Sequence, residues 1–83
     1  MTTERKPTAI GQRVRQLRDE RGWSQLHLAH LTGLALNTIS RLEGGAVQDP
    51  PVSTLFSLAG AFEITVGELL APFDMVDPKM VAG

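Results

Sequence analysis

Between Trp23 and Gly45 the chain reads WSQLHLAHLTGLALNTISRLEGG, a stretch that admits few folds because two short helical patterns meet across a single glycine. Ser24 is a good N-cap, since its hydroxyl can accept from an orphan backbone N–H of the first turn. Leu28, Ala29 and Thr32 then fall on one side of a helix that Gly33 ends, glycine being the residue that turns left-handed without a Cβ penalty. Ala29 is small where a second helix must come close. With Ile39 as zero and about 100° per residue, the following helix turns Ala35, Ile39 and Leu42 inward, with Glu43 beside them, and points Asn37 and Arg41 the other way. Leu34 and Ile39 can staple its entry. Thr38 and Ser40 flank the outward pair. That face therefore offers an amide, a guanidinium and two hydroxyls, the groups that pair with base edges and phosphates in a DNA major groove.

The flanking sequence is also helical. Ile10, Val14, Leu17 and Arg21 recur at i, i+4, i+7 and i+11, which predicts a first amphipathic helix ending at Gly22. The run GGAVQDPP is a loop, because two glycines and two prolines leave little choice. Val52, Leu55, Leu58, Ala59 and Phe62 give a fourth helix, with a weak point at Gly60. Thr65 and Glu68 form a T-x-x-E capping box, with Ile64 and Leu69 as its staple, so a short fifth helix is expected to run to about Ala71, where Pro72 stops it. No β alternation and no internal repeat is visible.

Composition narrows the function classes. With 83 residues there is room for one domain. The absence of cysteine excludes a disulfide framework, a thiolate nucleophile and a zinc finger. No apolar run is long enough for a membrane span, and the opening MTTERKPTAI lacks a hydrophobic signal core, so the cytoplasm is the expected compartment. No Ser/His/Asp grouping, phosphate-binding glycine loop or convergent acid pair points to an enzyme, and no cofactor is expected. His27 and His30 have i, i+3 spacing but no further metal ligands nearby, and read as exposed polar side chains. Trp23 reads as core edge. The net charge of -1 is unevenly spread: the chain is net positive through Gly45 and net negative after it. One basic face on an acidic domain can still steer toward phosphates.

From Ile10 to Leu70 the chain resembles the five-helix DNA-binding domain of the Cro and lambda-repressor-like, or XRE-type, transcriptional regulators. The markers are the helix IGQRVRQLRDERG, the phrase WSQLHLA with Gln25 opening helix two, TISRLEGG closing helix three, and ITVGELL as helix five. The resemblance implies an all-α, five-helix lambda-repressor-like domain over 9–71, preceded by an arm, 1–8, and followed by a tail, 72–83. It places Gln25 at a phosphate or the groove edge, and Leu36, Asn37, Thr38 and Arg41 where they reach bases. Ser24 and Ser40 join these candidate DNA contacts. Arg18 and Glu43 occupy the buried ion-pair positions. That pairing makes physical sense, because a lone inward carboxylate would be costly.

Two departures from the family pattern matter. Ala35 stands where Ser or Thr usually caps the recognition helix, so Leu36 opens the reading face with a hydrophobe whose natural target is a thymine methyl. The loop after Glu43 is about one residue longer than usual by the same comparison and lacks Lys and Arg. Phosphate grip is then expected from Arg13, Arg15, the arm residues Arg5 and Lys6, and backbone N–H groups at helix starts. The implied function is a sequence-specific regulator that binds double-stranded DNA as a homodimer on a two-fold-related operator. Leu69, Leu70, Phe73, Met75 and Val76 are the expected dimer contact, as the remaining apolar side chains accumulate late in the chain. The alternatives are an antitoxin whose tail grips a toxin, a restriction-modification controller, and a protein-interaction module that has lost DNA binding.

Overall fold

The computed structural model describes residues 9–74 and the side chains of 10–71. Five helices follow in order: α1 Ala9–Glu20, α2 Gln25–Thr32, α3 Leu36–Glu43, α4 Val52–Phe62 and α5 Val66–Asp74. Among the described residues there is no strand. Helix α1 packs on α3, α4 and α5, α2 packs on α3 and α4, and α4 packs on α5. Val14, Leu28, Ile39, Leu42, Leu58, Phe62 and Leu69 are completely or almost completely buried where the helices converge. No helix of the described residues is long and apolar enough to cross a membrane.

Local chemistry sets most of the boundaries. Ser24 Oγ accepts from the His27 N–H at 3.0 Å, and Gly33, at φ 77°, ends α2 with its N–H on the Ala29 carbonyl. Thr32 secures the turn that follows: its hydroxyl donates to the Leu28 carbonyl at 2.8 Å and accepts from the Leu34 N–H at 3.2 Å. Helix α3 begins at Ala35 with no side-chain cap. At α5 the capping box closes reciprocally, the Glu68 N–H on Thr65 Oγ1 and the Thr65 N–H on Glu68 Oε1, both at 2.9 Å. Helix α4 ends on Glu63, a non-glycine residue at φ 61°.

Three sequence expectations need correction. Val52 stands at the first position of α4 and is exposed, while Thr54 takes the buried place on that helix. Leu69, expected at a dimer contact, is 0% exposed because it is the α5 side chain that fills the core. Pro72 does not stop α5, which continues to Asp74. Proline lacks the N–H that would bond the carbonyl four residues back, here Glu68. Arg13 of α1 supplies a donor instead: Nη2 bonds the Glu68 carbonyl at 2.9 Å and Nε the Leu69 carbonyl at 3.1 Å.

Candidate nucleic-acid interface

Helix α3 is held by its buried side and presents the other. Ile39 and Leu42 anchor it in the core, and Asn37 and Arg41 are exposed on the opposite side. Thr38 and Ser40 are half-buried at the margins, and Leu36 is 43% exposed at the N-terminal end. Gly11 sets how closely α1 approaches from behind. A Cβ at this position would run into the Leu42 carbonyl oxygen, so only glycine lets the two backbones meet as they do.

A polar network joins three helices beneath this face. Arg18 Nε and Nη2 donate to the two oxygens of Glu43 at 2.8 and 2.9 Å, a bidentate pair with side chains only 12% and 4% exposed. Arg18 Nη1 donates to the Trp23 carbonyl at 2.7 Å, which ties in the entry to α2. Gln25 Nε2 donates to Glu43 Oε1 at 3.0 Å, and Ser40 Oγ donates to Gln25 Oε1 at 2.9 Å. The buried carboxylate is thereby paired and multiply hydrogen-bonded, the condition under which burial of charge is tolerated. Burial pushes the Glu43 carboxyl up, but hydrogen bonds from Arg18 and Gln25 and the charges of Arg18 and Arg15 outweigh it and hold the group below its ordinary value. The Glu43 hydrogen bond raises the Arg18 guanidinium further above its usual range.

The geometry gives several of the expected DNA contacts a structural role. Ser40 donates to Gln25 and Gln25 in turn to Glu43, so both help set the angle between α2 and α3; Gln25 keeps one amide N–H beyond those bonds. Ser24 is exposed and works as the cap of α2. Arg13, expected at a phosphate, is the brace of α5: Nε and Nη2 bond there, and Nη1 donates to Gln16 Oε1 of its own helix at 3.5 Å. Arg15 stays exposed, 3.8 Å from Asp19 on the same helix. Leu70 is half-buried against the core. The side chain of Phe73, together with Met75, Val76, Arg5 and Lys6, lies outside the described residues.

Trp23 stacks on Phe62 with ring centroids 5.7 Å apart and planes 10° apart, and meets His27 edge-on at 5.2 Å. Arg21 lies over both stacked rings and donates to the Leu17 and Phe62 carbonyls at 3.0 Å, closing the ends of α1 and α4. Sequence reasoning missed Arg21, Thr32 and Gly11 in these roles. A glycine inside the first helical pattern was the one local signal, since it is unfavourable there without a packing reason.

A capped helix, a left-handed glycine turn and a second helix with an exposed polar face, backed by three further helices, define a helix-turn-helix domain. A family model described as Helix-turn-helix matches residues 14–69, and the chain belongs to that family, in its XRE-type branch. Among its relatives, the HTH-type transcriptional regulator SinR of Bacillus subtilis is 33% identical over 61 residues, which are 74% of this chain and 55% of SinR. The chain thus spans about half the length of that relative. The crystal structure of SinR, the master regulator for biofilm formation, in complex with DNA superposes with a TM-score of 0.70 at 33% identity, covering 74% of this chain and 97% of that one. The restriction-modification controller protein C.AhdI from Aeromonas hydrophila gives 0.71 at 35% identity, covering 76% and 94%.

Proposed function

We propose that this chain is a sequence-specific DNA-binding transcriptional regulator whose residues 9–71 form the reading domain and which binds a two-fold-related operator as a homodimer. The observation that carries this reading is the exposed Asn37 and Arg41 face of α3, on a helix fixed from behind by Ile39, Leu42 and the Gln25–Glu43–Arg18 network. In the mechanism, α2 crosses the backbone and α3 enters the major groove. Arg41 suits the O6 and N7 acceptors of guanine, and Asn37 the N6 and N7 edge of adenine. Two recognition helices set roughly 34 to 36 Å apart by a dimer would read both half-sites at once, and occupancy near a promoter would regulate transcription.

Selection of bound duplexes from a random pool tests this directly. Enrichment of an inverted repeat whose half-sites lie one helical turn apart is expected; failure to enrich any sequence at moderate salt contradicts it. The likeness to C.AhdI favours a narrower second reading, a controller of a restriction-modification operon. In that case the selected site should lie upstream of adjoining methyltransferase and endonuclease genes, and its absence there rejects the narrower role alone.

A further inference from the structure

Beside the polar reading face lies an apolar groove that Asn37 and Arg41 leave unfilled. It holds about 350 Å³ and is lined by Leu26, Ala29, His30, Gly33, Leu34 and Leu36. Its two outer walls are large side chains left in water: Leu26, on α2, is 65% exposed and Leu36, the first residue of α3, 43%. Neither serves the core, which Leu28 and Ala29 of α2 and Ile39 and Leu42 of α3 already fill. The groove is continuous with the proposed DNA surface, because Leu36 is followed at once by Asn37 and then, one turn on, by Arg41.

A base edge beside Asn37 and Arg41 offers one apolar group in the major groove, the C5-methyl of thymine. A polar phosphate or sugar would gain nothing from two leucines. Building on the DNA-reading function proposed above, we infer that Leu26 and Leu36 form a notch that seats the C5-methyl of a thymine in each half-site. Helix α2 then takes part in base discrimination through Leu26, besides orienting α3, and Leu26 is a specificity-determining residue.

The test uses duplexes carrying the selected half-sites, with each thymine replaced in turn by deoxyuridine, which keeps its adenine partner, or by cytosine or 5-methylcytosine, each paired with guanine. At one thymine per half-site, deoxyuridine should weaken binding about fourfold, the effect of one buried methyl. At that position 5-methylcytosine should bind more tightly than cytosine by a similar factor, which separates the methyl from the rest of the base. Both differences should vanish in Leu36→Ala, return in Leu36→Met and shrink in Leu26→Ala. All three changes fall on exposed side chains, and a melting curve for each variant verifies the fold. Methyl effects of equal size in Leu36→Ala, or no thymine sensitive to loss of its methyl, overturn the notch while leaving DNA reading intact. Methyl effects unchanged in Leu26→Ala overturn the part assigned to α2. If the variants change self-association while methyl discrimination persists, the groove seats a second copy of the chain and the inference fails. Absence of any enriched duplex removes the underlying function as well.

Discussion

Gly11 and Gly60 are both helical glycines, yet their surroundings give substitution opposite signs. Gly11→Ala would drive a methyl into the backbone of Leu42 and Glu43, which cannot rotate away, and should destabilise the fold by about 1 to 3 kcal/mol or more. At Gly60 nothing lies within 4 Å of an added Cβ, so Gly60→Ala should stabilise it by about 0.5 to 1 kcal/mol through helix propensity and the entropy of the unfolded chain. Urea titration of the two variants checks both signs. The Arg18–Glu43 pair behaves differently from either. Glu43→Gln strands a largely buried guanidinium and should cost about 3 to 5 kcal/mol, whereas replacing both partners by Met and Leu should cost less. Because the folded-state value of Glu43 lies below its unfolded one, its contribution is complete above the ordinary carboxylate range and is lost as pH falls through the folded value. Acid titration of stability should therefore show a shallower loss below about pH 4 in Glu43→Gln than in the parent. An identical slope would mean that the pair does not govern the acid limb.

Helix boundaries were legible wherever a neighbouring residue sets them. Ser24, Gly33 and the Thr65–Glu68 box act over three or four residues, and a single chain shows such distances directly. The end of α5 was not legible, because the donor that replaces the missing Pro72 N–H comes from Arg13, 55 residues before Glu68. The same distance hid the reassignment of Arg13 itself. Gln25 and Ser40 were found as polar residues near the reading face, but the chain of bonds from Ser40 to Gln25 to Glu43 depends on how α2 meets α3. Helical periodicity placed Asn37 and Arg41 on the outward face of α3 and could not add Leu26, since a wall shared by two helices has no period. At this scale the brace makes a distinct prediction. Arg13→Ala should lower the melting temperature of the parent, and should do so less in a Pro72→Ala background, where an N–H at position 72 can bond the Glu68 carbonyl. Equal effects in the two backgrounds would separate Arg13 from the continuation of α5 past Pro72.

As a whole the molecule carries little positive charge with which to hold a phosphate backbone. With Arg18 buried, Arg13 bracing α5 and Arg21 closing helix ends, the exposed cations of the described residues are Arg15 and Arg41, to which the expected arm contacts Arg5 and Lys6 would add two charges. Counterion release by about four charges gives a slope of log affinity against log salt of about -3 to -4 per protomer. Contacts to phosphates carry no sequence information, so selectivity must come from base edges, which places the burden on α3. The most direct measurement is fluorescence anisotropy at one fixed salt concentration. The selected operator and a scrambled duplex are each titrated with the parent, Asn37→Ala and Arg41→Ala, and melting curves confirm that each variant is folded. Each substitution should cost about 1 to 3 kcal/mol of preference for operator over scrambled DNA; Asn37→Ala should leave the scrambled duplex bound nearly as before, whereas Arg41→Ala, which also removes a charge, should weaken both duplexes by a common factor on top of the lost preference. Full operator preference in both variants would contradict the assignment of α3 as the reading helix.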